Sequence, residues 1–154
     1  MSPGAGRLAT SAALLALVAL AALTGCGSPP PDEERIRQQL ESMAAGLVDR
    51  QAGAVLAPLA DDFTGRRGRL DRRTARLLLM REFSAHERLR ARLHGVEVDL
   101  GPSDRATADF RVLLTGGSGM IPSSGRWYEV TTGWRLDDGE WRLISASWDN
   151  VVGL

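Results

Sequence analysis

Few residues of this chain have the types and spacing that catalysis needs. Asp61 and Asp62 form an adjacent carboxylate pair that could supply a general base at the mouth of a pocket, or could turn the chain after a helix. His86 and His94 stand eight residues apart, about two helical turns, which is too far for both to hold one metal ion. The single cysteine excludes the usual zinc-binding spacings. We therefore predict no catalytic residue, no metal and no cofactor.

The basic residues are all arginine, and they are unevenly distributed. The 19 basic and 19 acidic residues give a formal net charge of zero, so charge offers no general argument for binding nucleic acid. Ten arginines fall between residues 61 and 94, against five acids. Arg72, Arg73 and Arg76 begin a predicted helix, where each opposes the helix dipole at a cost of roughly 0.3–1 kcal/mol. They form either an anion-binding site or a solvated helix face.

The only cysteine, Cys26, follows an apolar run. Residues 12–23 are almost entirely Ala, Leu and Val, and Arg7 precedes them, which is typical of a secretory signal. The run is shorter than the roughly 20 residues that a permanent membrane span needs. The motif Leu23-Thr24-Gly25-Cys26 resembles the lipobox of bacterial lipoproteins. An ordinary signal peptide with a chance cysteine is the alternative.

The lipobox resemblance implies a cellular location and a division of the chain into segments. It implies a signal peptide over residues 1–25, a lipidated cysteine and tether over residues 26–31, and a domain over residues 32–154. The lipid on the Cys26 thiol would attach the protein to a membrane and exclude a disulfide. Gly27 directly after the cysteine implies sorting to the outer membrane, facing the periplasm, in a Gram-negative cell.

Apolar spacing predicts three helices in the first part of the domain. The helices are predicted over about residues 31–49, 52–59 and 71–93, with Asp71 capping the third and Gly95 ending it. The glycines and mixed polarity of residues 60–70 predict a loop or a small hairpin.

The second part of the domain changes to a period of two. Apolar residues alternate with polar ones from Val96 onward, which predicts four main strands. The pair Asp138-Gly139 predicts a tight hairpin between the last two strands, because its central residues need positive φ. Helices followed by antiparallel strands indicate an α+β fold, with the helices packed on one face of a curved sheet.

This order of elements resembles the nuclear-transport-factor-2-like (NTF2-like), or SnoaL-like, superfamily. Two motifs carry the resemblance, Leu59-Ala60-Asp61-Asp62-Phe63 and the final Gly139-Glu140-Trp141-Arg142-Leu143. It covers about residues 32–150 and implies a cystatin-like cone, in which a curved antiparallel sheet packs on three N-terminal helices around a pocket. Members include isomerases, dehydratases, binding proteins and interaction modules, so the fold alone does not select a function.

The best-understood enzyme of this superfamily, ketosteroid isomerase, needs a carboxylate base and a tyrosine. An ungapped count from Asp62 reaches Arg67 at the position of the base, and a count back to the first helix reaches Met43 at that of the tyrosine. A guanidinium cannot take up a proton. The resemblance therefore does not carry that mechanism to this chain.

Large aromatic side chains on a sheet usually fill a core, but in a cone some of them would line the pocket. The candidate pocket residues are Met43, Phe63, Phe83, Tyr128, Trp134 and Trp148.

Together these observations predict a lipid-anchored envelope protein whose domain binds a small apolar or anionic molecule, or a partner protein, without catalysis. One alternative is an isomerase or hydrolase-like enzyme that uses a pocket carboxylate such as Asp62. Another is a protein–protein interaction module. The resemblance also implies a homodimer through the exposed sheet face, for which Trp127 and Trp141 are the candidate contacts.

Overall fold

The computed structural model describes residues 29–117 and 124–151, and one compact unit beginning at Pro31 holds every element below. The predicted signal peptide over residues 1–25 and Cys26 lie outside the described residues. No helix in the described part is long and apolar enough to cross a membrane. The elements are α1 (Asp32–Val48), α2 (Ala52–Leu56), β1 (Leu59–Gly65), α3 (Arg72–Ala85), β2 (Arg88–Gly101), β3 (Arg105–Gly117), β4 (Ser124–Asp137) and β5 (Glu140–Asn150).

The first two helices follow the predicted pattern. Three acids in the first turn of α1 complement the positive end of the helix dipole. Ile36 and Leu40 on its apolar stripe are buried. The prediction for α1 is confirmed, whereas α2 stops at Leu56, three residues before its predicted end.

The third helix is shorter than predicted, and the sequence that follows it is a strand. Asp71 caps the helix with a 2.7 Å hydrogen bond, as expected, but α3 ends at Ala85. Leu89, Ala91 and Leu93 then alternate with exposed arginines along β2. The predicted extension of the helix to residue 93 is wrong. Apolar residues that recur at every second position all point toward the core in an extended strand, but not in a helix.

Residues 59–65 form β1, where the sequence predicts a loop or a small hairpin. β1 pairs parallel with β5, through Leu59 opposite Leu143 and Gly65 opposite Ala146. A tight turn follows, closed by backbone hydrogen bonds between Gly65 and Leu70. The segment is an edge strand because it pairs with β5, which is distant in the chain. The glycines within the segment do not predict that pairing.

The five strands form one curved sheet in the order β1-β5-β4-β3-β2, antiparallel except at β1–β5. The predicted α+β class is confirmed, with five strands in place of four. A bulge at Gly95, whose φ is +61°, interrupts β2, and a second interrupts β5 near Ile144. Each bulge moves the inward-facing residues by one position. The hairpin at Asp138-Gly139 is confirmed, with both residues at positive φ.

The core lies between the inner face of the sheet and the helices. Trp134 is completely buried there, and its indole N–H donates to Thr132 at 2.9 Å. Trp141 is only 3% exposed and donates to Asp32 at 2.9 Å, which ties β5 to the start of α1. The prediction that Trp141 lies on the exposed sheet face is therefore wrong.

Candidate functional site

A cavity of about 370 Å³ opens between the end of α3 and the inner face of the sheet. We call it the α3–sheet cavity. Its apolar lining comes from three leucines on three elements, Leu47 of α1, Leu89 of β2 and Leu114 of β3. Its polar lining consists of Glu82, His86, Arg90, Thr115, Arg126 and Tyr128, with Gly116 and Gly125 supplying backbone.

The polar groups enter the α3–sheet cavity from two sides. Arg126 and Tyr128 are two residues apart on β4, so they project from the same face of the sheet. Tyr128 stands opposite the buried Val112, which makes that face the inner one. From the helix side, the His86 Nε2 atom lies 3.7 Å from the Glu82 Oε2 atom. The cavity thus brings together a phenol, a guanidinium and an imidazole–carboxylate pair beside apolar surface.

His86 is held in place by its backbone and by a close approach to β3. Arg50 donates to the carbonyl oxygens of His86 at 2.6 Å and of Glu87 at 3.2 Å, and also to that of Phe83. The bond to Phe83 satisfies a carbonyl group that the end of α3 leaves without a helical partner, and the other two fix the segment that follows the helix. A Cβ atom on Gly116 would lie 3.2 Å from His86 Nδ1, so glycine at this position gives the imidazole room against the sheet.

The six residues proposed for the pocket lie in different surroundings. Phe63, Phe83 and Trp134 are buried members of the core. Met43 and Trp148 are partly buried and pack against that core. Tyr128 is the member of the set that lines the α3–sheet cavity.

A second, wider cleft of about 710 Å³ lies beside Asp61 and Asp62, the pair of carboxylates that could supply a general base. Asp61 and Asp62 are exposed residues of β1, where the sequence suggests a cap or a turn. Arg135 of β4 holds Asp62 with two hydrogen bonds of 2.9 and 3.1 Å, and Asp137 with two of 2.7 and 2.8 Å. We call this group the Arg135 clamp.

The Arg135 clamp decides the chemistry of Asp62. Hydrogen bonds from the Arg135 side chain, aided by its charge, hold the pKa of Asp62 below the usual range for aspartate. The same bonds lower the pKa of Asp137. A general base works best with a pKa near the operating pH. Asp62 is therefore poorly suited to remove a proton near neutrality.

The three arginines at the start of α3 have different surroundings. Arg72 donates to the Leu59 carbonyl oxygen at 2.6 Å and lies 3.4 Å from Asp61, so it fastens α3 to β1. Within the described residues, no acidic side chain comes within ion-pair distance of Arg73 or Arg76. Those two, with Arg72, Asp61 and Asp71, surround an open hollow of about 450 Å³.

The two histidines lie on opposite sides of the sheet. His86 lines the α3–sheet cavity, whereas the His94 ring packs against Trp127, with ring centroids 5.0 Å apart. Among the described residues, no group of three or more His, Cys, Asp and Glu side chains is arranged to hold a metal ion.

The sequence did not predict that four residues would line the same cavity, namely Glu82, His86, Arg90 and Arg126. The alternation Arg88-Leu89-Arg90-Ala91-Arg92-Leu93 was the available signal. It marks a strand that begins just after His86, which would have placed the end of α3 beside the sheet.

No family model matches this chain, and no curated protein is similar to it in sequence. Solved structures are similar in three dimensions. An NTF2-like protein of unknown function from Pseudomonas putida KT2440 aligns with a TM-score of 0.69 and 20% identity, over 83% of this chain and 92% of that one. An NTF2-like protein with a cystatin-like fold from Novosphingobium aromaticivorans aligns with a TM-score of 0.66 and 19% identity, over 98% of this chain and 94% of that one.

A candidate scytalone dehydratase from Novosphingobium aromaticivorans aligns with a TM-score of 0.65 and 11% identity, over 77% of this chain and 83% of that one. These likenesses establish the fold. The chain has the NTF2-like, cystatin-like fold that its sequence motifs indicate. Because this fold carries many activities, the function has to be argued from the site.

Proposed function

We propose that this protein is a lipid-anchored binding protein, and that its α3–sheet cavity holds a small molecule with an apolar body and an acidic group. The observation that carries the proposal is the arrangement of Arg126 and Tyr128 on the inner sheet face beside three leucines. The volume of about 370 Å³ lies within the usual range of ligand pockets, roughly 300–1,000 Å³.

The polar lining favours an acidic ligand group. A guanidinium can bind a carboxylate or phosphate through two parallel hydrogen bonds, and Arg126 supplies one from the inner face of the sheet. Tyr128 can donate one further hydrogen bond. The leucine side chains would cover the apolar part of the ligand, at a gain of about 25 cal/mol for each Å² of apolar surface buried.

The test has two stages. The protein is first purified from its native envelope and examined by native mass spectrometry for a bound small molecule. A panel of aliphatic and aromatic carboxylates, each paired with its neutral amide, is then tested for stabilisation against heat, since a ligand of the folded state raises the melting temperature. We expect the acids to stabilise the protein and the amides to have little effect.

A variant isolates the role of the guanidinium. Arg126→Gln should weaken binding of the acids by roughly 10- to 100-fold, because a hydrogen bond to a charged group contributes about 1.5–3 kcal/mol. Arg111→Gln, an exposed change on the outer sheet face, is the matched control and should bind as the parent does. Equal stabilisation by acids and amides, or equal binding by the two variants, would contradict the proposal.

The anchor is the second part of the proposal. Leu23-Thr24-Gly25-Cys26 supports a lipid on the Cys26 thiol, and Gly27 supports an outer-membrane position facing the periplasm. Cys26→Ser should leave the protein uncleaved, or should release it from the membrane fraction, because one thiol carries the lipid. Processing and membrane association identical to the parent would exclude the anchor and leave the binding site to be judged separately.

A second candidate function is acid–base catalysis in the same cavity. The Glu82–His86 pair supports it, since an imidazole can act as a general acid or base and a neighbouring carboxylate can orient it. The Arg135 clamp argues against catalysis by Asp62. Conversion of a co-purified molecule by the parent, and its unchanged binding by His86→Gln without conversion, would favour the enzyme. Binding without conversion by both proteins would favour the first proposal.

A further inference from the structure

The outward face of α3 carries apolar side chains that remain open to solvent. Leu77 is 62% exposed and Met80 is 42% exposed. The two are three residues apart, so they are neighbours on one side of the helix. Leu79 and Phe83 supply the buried side of the same helix. Leu77 and Met80 are therefore not part of the stripe that packs α3 onto the domain.

Three exposed arginines frame this apolar pair. Arg73 and Arg81 lie four residues before and after Leu77, and Arg76 lies four residues before Met80. Arg81 is bonded to Glu82 at 2.9 Å. Arg73 and Arg76 have no acidic side chain within ion-pair distance among the residues that the structure describes. The five residues Arg73, Arg76, Leu77, Met80 and Arg81 are called the α3 face.

We propose that the α3 face docks onto an anionic lipid bilayer. Leu77 and Met80 enter the boundary between headgroups and acyl chains, and the arginine side chains contact lipid phosphates. The combination is what a bilayer surface recognises, because apolar insertion and attraction to anionic headgroups act on the same helix face. Arg73 and Arg76 also lie near the N-terminus of α3, where anionic phosphates would offset their opposition to the helix dipole.

Leu77 and Met80 distinguish a bilayer from a free anion as the binding partner. A soluble phosphate or polyphosphate would need the arginines but would gain nothing from Leu77 and Met80. A bilayer uses both, so the two kinds of substitution should each weaken binding. The proposal does not depend on the lipid anchor or on the α3–sheet cavity, and its test removes Cys26.

The experiment uses the full chain carrying Cys26→Ser and Ser84→Cys, labelled at the new thiol with an environment-sensitive fluorophore. Ser84 is exposed and lies four residues after Met80, so the probe reports on the α3 face rather than on the N-terminal segment. The labelled protein is titrated with phosphatidylcholine vesicles that contain or lack phosphatidylglycerol. We expect the emission to shift to the blue with the anionic vesicles and not with the neutral ones, and the shift to weaken as salt is raised.

Two pairs of substitutions test the two components. Arg73→Gln with Arg76→Gln should weaken the response by about 25-fold, since each basic residue near an anionic surface contributes about fivefold. Leu77→Ser with Met80→Ser should weaken it by about tenfold or more. The matched controls are Arg92→Gln with Arg111→Gln, and Val48→Ser with Leu100→Ser, which change charge or exposed apolar surface elsewhere. Both control pairs should respond as the parent does.

Three results would overturn the proposal. The first is a probe that does not respond to anionic vesicles while circular dichroism shows a folded protein. The second is a response to soluble polyphosphate that survives the Leu77 and Met80 changes, which would indicate a free-anion site. The third is an equal loss in the control pairs, which would indicate non-specific attraction.

Discussion

At the scale of single residues, Arg135 determines what the aspartate pair can do. It joins Asp62 on β1 to Asp137 at the end of β4, although 73 residues separate Arg135 from Asp62 in the chain. Its hydrogen bonds stabilise the ionised form of both carboxyl groups, so the pKa of each falls. The cleft beside these residues is therefore lined by ion pairs that connect β1 to β4.

The lowered pKa values predict a pH-dependent contribution of Arg135 to stability. Asp62 and Asp137 have lower pKa values in the folded state than the roughly 3.9 of unfolded aspartate. Their contribution should be complete above that value and should disappear as the pH falls through the folded pKa values. Arg135→Gln should thus be less stable than the parent at neutral pH, and the gap should close in acid.

Urea unfolding of the parent and of Arg135→Gln from neutral pH to about pH 2 measures this gap. Arg92→Gln, an exposed change without this ion pair, should follow the parent throughout. A gap that stays constant over the whole pH range would show that Arg135 acts through packing instead.

At the scale of elements, Gly46 sets how closely α2 approaches α1. A Cβ atom on Gly46 would lie 2.8 Å from the Ala54 Cβ atom and 3.3 Å from Val55 Cγ2. Neither neighbour is the end of a long flexible side chain, so a larger residue would force the two helices apart. Gly53 is the contrasting glycine of this pair of helices, because a Cβ atom added there would meet no heavy atom within 4 Å.

Alanine substitutions at these two glycines should change the free energy of unfolding in opposite directions. Gly46→Ala should lower the free energy of unfolding by about 1–3 kcal/mol, as overpacking does. Gly53→Ala, within a helix, should raise it by about 0.5–1 kcal/mol, because alanine loses less backbone entropy on folding. Urea unfolding of both variants provides the measurement. A neutral Gly46→Ala would contradict the described contact between the helices, and a destabilised Gly53→Ala would contradict the open space beside Gly53.

At the scale of the whole molecule, the outer face of the sheet is the candidate surface for self-association. Trp127 lies opposite Leu113 on this face and contacts the His94 ring. Trp141 does not contribute, because it is buried in the core. The face thus combines an apolar centre with the charged neighbours Arg111 and Glu129, which stand opposite each other on β3 and β4.

We predict that the protein forms a homodimer through this face. Trp127→Glu would place a charge at its apolar centre and should give a monomer by light scattering at tens of micromolar, the concentration at which the parent should be dimeric. Leu77→Glu adds the same charge on the outward side of α3 and should leave the dimer intact. A monomeric parent, or dimers in both variants, would count against this surface.

Some features of this protein follow from its sequence alone because they depend on local spacing. The apolar stripe of α1, the cap at Asp71 and the turn at Asp138-Gly139 each need only residues that are close in the chain. The order of helices before strands was sufficient to predict the α+β class. The lipobox resemblance is also local, so the anchor is predicted from the sequence alone, and it stays a prediction because Cys26 lies outside the described residues.

Other features were decided only by tertiary structure, because they depend on partners that are distant in the chain. β1 is a strand because β5 pairs with it, and Trp141 is buried because a bulge in β5 and the Asp32 carboxylate fix its direction. Arg135 forms an ion pair with Asp62 from 73 residues away.

The candidate site belongs to the same class of features. Its cavity exists because β3 and β4 lie close to the end of α3 in the folded protein. The spacing of residues along the chain does not predict that proximity. Local hydrogen bonding and periodicity select the elements, whereas packing of the sheet on the helices selects which side chains share a cavity.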